Sequence, residues 1–582
     1  MTANNYYTAL ADLLFPEWAE GGESLFSAED YEFKYPPRPL PDGAAVTRLG
    51  PSPTGFIHLG NLFMAVVNRR LAKQTDGVFF LRIEDTDQKR EVEGAVPSLI
   101  QALEYFGIEF DEGAGHSYEG DGHSSERGGH SSERDAYGPY YQSERVEIYR
   151  SFVRKLVLEG KAYPCFLTED QIEGIRASQE ASKQLPGIYG EYAEWRGADL
   201  DLIEKNIIAD KPYVIRLFAD FEGDNDVGYD GKDIAGATIT VSDGIRGNLK
   251  LPKNIMDVVI LKTDGLPTYH FAHVIDDHLM RTTHVVRGEE WLPSLPIHID
   301  LFRALDFEPP VYCHTALLMK VDEGVKRKLS KRKDPELALS YYMTEGYHPL
   351  AVEEYLLTII NSNYEEWRLS NPDVCNEDFI VTTEKMGASG IMFDLEKLKN
   401  VSRETLSRIP AEDLANFMLE WADRERPEAY PVFLENKEVL IAALDVGRSG
   451  EKPRKDLEYA SQIFDFISYF FDLFFRMEDP LPEGITEEEA GRLLTGYLAT
   501  YDHGDDRGLW FEKIRELALR HGYAAKPKDY KNSPEMYKGH VGDVSAVIRR
   551  ALTGRLNAPD IYEIQQILGE ERTVSRLKTS IT

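Results

Sequence analysis

Between Pro51 and Asn61 the chain reads PSPTGFIHLGN. The prolines keep the start of this stretch out of a helix, and Gly60 lets a backbone approach a ligand closely. His58 and Asn61 stand at the mouth of the helical stretch that follows, where free N–H groups and the helix dipole favour a phosphate. About 270 residues downstream, KLSKR at 328–332 sets Lys328 and Lys331 three apart with a hydroxyl between them. Such a loop can close over a triphosphate and neutralise charge developing on departing pyrophosphate. The sequence has neither G-x-x-x-x-G-K-[ST] nor a G-x-G-x-x-G after a strand, so the usual kinase, NTPase and dehydrogenase readings lose their support.

These residues need a scaffold, and the surrounding pattern supplies one. AAVTRLG reads as a short strand, and NLFMAVVNRRLAKQTDG sets Leu62, Val66, Val67 and Leu71 at helical spacing, before the second strand VFFLRIED. Strand, glycine-bearing turn, helix, strand opens a doubly wound α/β domain, whose ligands sit where strand ends meet helix N-termini. From roughly 212 to 300, PYVIRLFA, MDVVILKTDG and THVVRGEE predict a return of the parallel sheet. Beyond about 335 the apolar residues recur at three- and four-residue steps, which predicts an all-α C-terminal third. There FDFISYFFDLFF at 464–475 reads as a buried helix, too short to span a bilayer. Residues 1–40, ending in KYPPRPLPDG, read as an appended segment and rigid linker. The segment 113–137 repeats GHSSER and carries His116, His123 and His130; its composition cannot form a core and reads as a flexible surface insertion.

At 582 residues and 42% apolar content the chain can bury several cores. Its three cysteines, Cys165, Cys313 and Cys375, are widely separated and lack paired-ligand spacing, so neither a disulfide framework nor a four-ligand zinc site is indicated, and a reducing cytosol fits. The N-terminal residues lack the basic start and apolar run of a signal peptide. A net charge of −34 argues against bulk affinity for nucleic acid, so such contacts must come from local basic patches, of which GVKRKLSKRKD and GRSGEKPRKD are the two clearest.

Taken in order, the motifs resemble the class I glutamyl-tRNA synthetases of bacterial type, from about Ala45 to the C-terminus. RLGPSPTGFIHLGN is similar to the family's HIGH-type signature, LRIEDTD to the strand after it, and KLSKR to the KMSKS-type loop. DVVILKTDGLPTYHFAHVIDDHLM and THVVRGEEWLPSLPIHIDLF resemble the amino-acid pocket segments, while MFDLEKLKNVS and RRALTG resemble the stem-contact and anticodon-binding helical domains. The resemblance implies a Rossmann-like catalytic domain split between 45–145 and 251–335, with a connective acceptor-binding α/β domain at 146–250. A stem-contact helical domain at 336–425 and a helical anticodon-binding domain at 426–582 would follow, with 1–44 as extension and linker. It also implies glutamate activation by ATP with Mg²⁺, then acyl transfer to the 3′-terminal adenosine of tRNA(Glu), with the 2′-hydroxyl as the usual acceptor. A cytoplasmic monomer, with no membrane partner, is expected.

Residue by residue, the resemblance assigns Arg48 and Arg287 to the substrate carboxylates, Glu84 to its ammonium, and Ser52 and Tyr269 to other pocket positions. It gives His58, Gly60, Asn61 and Glu290 to ATP, and Lys328 and Lys331 to the phosphates; His58, Lys328 and Lys331 form the catalytic set. Position 273 commonly carries Asn in the family; His273 stands there in this chain and can still donate a hydrogen bond to glutamate. YPCFLT keeps only Cys165 of the family's zinc ligands, so no structural zinc is predicted. Arg448, Lys452, Arg454 and Lys455 lie where tRNA contacts would be expected. Glutaminyl-tRNA synthetase differs in having PEPNG where this chain has PSPTG, and a β-barrel anticodon domain. A catalytically inactive tRNA-binding paralogue is the alternative from another class, opposed by the retained His58, Gly60, Lys328 and Lys331. Use of tRNA(Gln) as a second acceptor stays open at the level of sequence.

Overall fold

Parallel strands built around Val46–Leu49 position the site. In the computed structural model, which describes residues 3–18, 25–55, 57–114, 136–219, 237–330, 333–448 and 454–581, β1 (Val46–Leu49) pairs in parallel with β2 (Val78–Leu81), and β2 with β3 (Glu112–Gly113). All four residues of β1 are buried, which explains its lack of apolar–polar alternation. The helix Leu59–Lys73 returns the chain from β1 to β2 and buries Leu62, Phe63, Val66 and Val67, each contributing about 1.5–3 kcal/mol.

A separate antiparallel sheet holds β4 (Ala162–Cys165), β5 (Val214–Leu217) and, beyond the hairpin β6 (Thr238–Asp243) and β7 (Gly247–Pro252), β8 (Val259–Leu261). PYVIRLFA and MDVVILKTDG, expected in the parallel sheet, therefore belong here, because an apolar run records burial but not the direction of the neighbouring strand. Parallel pairing resumes with β9 (His284–Gly288) and β10 (Val311–Thr315). The amide of Thr283, just ahead of β9, donates to Val46 O at 2.9 Å. The parallel strands therefore run β3–β2–β1–β9–β10, and the order reverses between β1 and β9, where doubly wound sheets open a ligand crevice. β11 (Leu318–Asp322) and β12 (Val325–Lys328) form the hairpin that carries the KLSKR stretch, and β13 (Ile391–Met392) pairs with β11.

The N-terminal residues are not a mere appendage. The helix Ala3–Leu14 packs on Val146–Leu158, and Tyr6 Oη donates to Ala198 O at 2.5 Å. Arg38 grips Glu112 through two bonds of 2.7 and 3.0 Å and stacks over Tyr137. Arg281 Nε donates to Tyr35 O at 3.0 Å, and His278 Nε2 lies 2.6 Å from Glu32 Oε1.

The chain divides into two compact units, Met1–Leu339 with Leu356–Asp394, and Ser340–Tyr355 with Leu395–Thr582. The division differs from the expected boundary near 336, because β13 pairs with β11 and Glu377 forms ion pairs with Arg69 and Lys73, which holds 356–394 to the first unit. The second unit is helical, its core including Leu414, Met418, Trp421, Ile463, Leu493, Ile514 and Ile548. The aromatic run at 464–475 is only partly helical: Ala460–Ile467 ends in a 3₁₀ turn at Ser468–Phe470, and Phe474 and Phe475 pack on the core from outside a helix. Most of the GHSSER segment lies outside the described residues. Among the described residues no helix is long and apolar enough to cross a membrane.

Candidate active site

At the carboxyl ends of β1 and β9 a cavity of about 450 Å³ is lined by Arg48, Ser52, His58, Gly60, Asn61, Glu84, Tyr269, Arg287, Glu290 and Lys328. Ten residues nominated from sequence, spread over 281 positions, thus meet in one place. Lys331 and Lys452 lie outside the described residues.

His58 is the N-cap of Leu59–Lys73, in extended backbone, and its amide donates to Asn61 Oδ1 at 3.1 Å. A Cβ at Gly60 would come within 3.0 Å of the His58 ring, so glycine leaves room for the imidazole over the helix start. On the other wall, Glu84 follows β2 and accepts from Arg82 Nη2 at 3.0 Å. Burial raises the Glu84 carboxyl above its ordinary value, against the pull of Arg82 and Arg48.

Arg48 is held by Asp277, which accepts from its Nε at 3.1 Å and from Arg82 Nη1 at 2.7 Å. Burial would raise the Asp277 pKa, but the two guanidiniums outweigh it and hold the carboxyl below its usual value. His273 was expected to touch glutamate. It is instead fully buried and absent from the cavity lining: Arg48 Nη2 lies 3.3 Å from its Nδ1, and Tyr312 Oη 3.0 Å from its Nε2. A ring enclosed on both nitrogens supports Arg48 from behind. Arg287, on β9, lies over Tyr312 and donates Nε to His314 Nε2 at 2.9 Å, with Nη1 3.1 Å from His298 Nδ1. Burial and the neighbouring cations push His273 and His298 well below the ordinary histidine value, so both are neutral at pH 7. Burial pushes the Tyr269 phenol up to about 12.

At the far end of the cavity, Lys328 closes β12, and the turn after it is fastened by Asp334, which accepts from Ser330 N at 2.8 Å and from both Arg327 terminal nitrogens at 2.6 and 2.8 Å. The expected tRNA residues fare differently. Arg448 is buried and donates to the carbonyls of Leu406 and Ile409 at 2.5 Å each, which makes it a strut for its own unit rather than a surface contact. Arg454 pairs with Asp456 and Lys455 with Glu404.

Sequence reasoning missed Arg82, Asp277, His298, His314 and Asp243. Their one visible signal was an Asp276-Asp277 pair inside an otherwise apolar helical run, since buried carboxylates need partners.

A crevice at a topological switch, with a helix N-terminus on one side and Lys328 at its far end, fits the arrangement of a class I aminoacyl-tRNA synthetase. Residues 44–400 match the family described as tRNA synthetases class I (E and Q), catalytic domain, and 535–581 match an anticodon binding domain. A glutamate–tRNA ligase of Acetivibrio thermocellus is 53% identical over 98% of this chain and 99% of its own length. One from Clostridium perfringens is 44% identical over 98% and 99%. Among solved structures, a glutamate tRNA ligase from Elizabethkingia meningosepticum in complex with its amino acid superposes with a TM-score of 0.69 at 27% identity, covering 92% of this chain and 99% of that one. The chain belongs to the glutamate–tRNA ligases, enzymes of the class I synthetase group.

Proposed function

We propose that the cavity holds glutamate between Arg48 and Arg287 with its ammonium at Glu84, and holds ATP between the His58–Asn61 helix start and the Lys328–Lys331 loop. Charge balance carries this reading. Arg48 and Arg287 line this part of the cavity with Glu84 as the carboxylate beside them, while His273 and His298 behind them are neutral, so the wall presents two cations and one anion. Glutamate, with two carboxylates and one ammonium, carries one net negative charge. Glutamine carries none and would leave a desolvated guanidinium unanswered, a strong ground for rejection.

A glutamate carboxylate oxygen attacks the α-phosphorus, the bond to the bridging oxygen breaks, and pyrophosphate leaves as Lys328 and Lys331 neutralise its charge. The terminal adenosine hydroxyl of tRNA then attacks the acyl carbon and AMP departs. The protein supplies position and charge, not a nucleophile. Glu290, on the cavity wall, is a carboxylate available to Mg²⁺ carried on the triphosphate. When bound, Mg²⁺ would neutralise phosphate charge. We read the enzyme as a cytoplasmic monomer acting on tRNA(Glu).

The test is aminoacylation with labelled glutamate or glutamine on separate tRNA(Glu) and tRNA(Gln) transcripts, with pyrophosphate exchange run with and without tRNA. Glutamate on tRNA(Glu) alone is the expected result; charging of both transcripts would widen the acceptor range, and glutamine incorporation would refute the charge argument.

A further inference from the structure

Arg287 is oriented by two imidazoles, whereas Arg48 and Arg82 are oriented by carboxylates. A guanidinium has no lone pair to offer, so the histidine nitrogens facing it must accept. His314 Nε2 accepts from Arg287 Nε at 2.9 Å, which puts the His314 proton on Nδ1. Nδ1 lies 2.6 Å from Asp243 Oδ2, so the proton is donated to that carboxylate. His314 is fully buried, Asp243 is 3% exposed, and neither lines the cavity. Asp243 ends β6, and its Oδ1 accepts from the amides of Ile245 and Arg246 at 2.9 Å each, so every group facing the carboxylate is a donor.

We propose that Asp243, outside the cavity on the β6–β7 hairpin, is a positioning residue for glutamate: it fixes the tautomer of His314 and through it the aim of Arg287. The proposal rests on the assignment of Arg287 to a substrate carboxylate. The design has a physical logic. A carboxylate placed directly on Arg287 would hold it equally well but cancel its charge, whereas a neutral imidazole holds the guanidinium and leaves its charge for the ligand. Asp243 supplies the anchoring from one residue further out.

Asp243→Asn tests this because an amide cannot satisfy donors on both sides. With its NH₂ toward His314, the imidazole must move its proton to Nε2, where it confronts Arg287 Nε–H. With its NH₂ toward the turn, it opposes the amides of Ile245 and Arg246. The expected result in pyrophosphate exchange is a glutamate KM raised about 10–100-fold, the usual range for loss of an outer partner, with ATP KM within threefold. A general loosening of the hairpin would move both. Because Asp243→Asn could unfold the hairpin, a second pair leaves the hairpin sequence untouched: His314→Gln keeps an acceptor for Arg287, and His314→Phe removes it. The glutamate KM of the Phe variant should exceed that of the Gln variant at least fivefold, and Asp243→Asn should add little on top of His314→Gln. Equal KM values for the Gln and Phe variants, or a full additional loss in the double variant, would overturn the relay. Arg287→Leu separates this failure from failure of the site: an unchanged glutamate KM there removes the assignment on which the relay depends.

Discussion

Gly50 offers the most direct test of the pocket, because the perturbation is a single methyl group. A Cβ built at position 50 lies 2.5 Å from Glu84 Oε1 and 3.0 Å from its carboxyl carbon, about 0.9 Å inside ordinary contact. Glu84 is buried and tied to Arg82 at 3.0 Å, and Arg82 is tied in turn to Asp277 at 2.7 Å, so the carboxylate cannot retreat without loosening that chain. A displacement near 1 Å at a group that orients a reacting substrate costs on the order of 10²-fold in rate, equivalent to about 2.7 kcal/mol of transition-state stabilisation. Gly50→Ala should therefore lower kcat/KM for glutamate about 100-fold in pyrophosphate exchange, with the melting temperature within a few degrees of the parent. The measurement is a glutamate titration at saturating ATP beside a thermal melt. A kcat/KM within threefold of the parent would refute both the rigidity argued for Glu84 and its place at the substrate ammonium.

Asp277→Asn leaves two buried guanidiniums short of a counter-charge and should destabilise the first unit by about 3–5 kcal/mol in urea unfolding. Because the fold holds Asp277 below its ordinary pKa, the ionised carboxylate stabilises the fold fully above about pH 3.9 and loses that advantage as pH falls further; the gap between parent and variant should narrow only in that acid range, and a constant gap down to pH 2 would contradict the assignment. Lys328→Ala and Lys331→Ala should each cut adenylate formation by orders of magnitude while tRNA binding, measured by filter retention, stays within threefold. Arg448→Ala should lower the stability of the helical unit by about 2–4 kcal/mol, since it leaves buried carbonyls unsatisfied, with little change in the salt dependence of tRNA binding; a slope reduced by about one would return it to the phosphate contacts.

Residues that line the cavity were the ones most open to reading from the sequence. The strand–turn–helix around His58 is local, with its glycine, caps and apolar spacing all within 30 residues of Arg48, and the KLSKR stretch is compact. What stood hidden was long-range: Arg48 and Arg82 meet Asp277 across 229 and 195 residues, and His314 meets Asp243 across 71. No period or motif encodes such a pairing, and a histidine in an apolar strand reads as ordinary core. Orientation was equally hidden, since the run VIRL packs the same way whether its neighbours run parallel or antiparallel. Arg448 was misjudged because a basic cluster reads as solvated surface, while a guanidinium with five donors can equally serve to gather stray carbonyls in an interior.

The grip of Glu32 on His278 and of Tyr35 on Arg281, each across 246 residues, also sets a timetable. During synthesis at about 5–20 residues per second, Glu32 and Tyr35 leave the ribosome some 12–50 s before His278 and Arg281 exist. Those two contacts can form only after the helix Tyr269–Leu279 is complete. Arg38 and the helix Ala3–Leu14 can meet Glu112 and Val146–Leu158 far sooner, so this segment docks in stages, and its Glu32 and Tyr35 contacts act as a clasp that closes last.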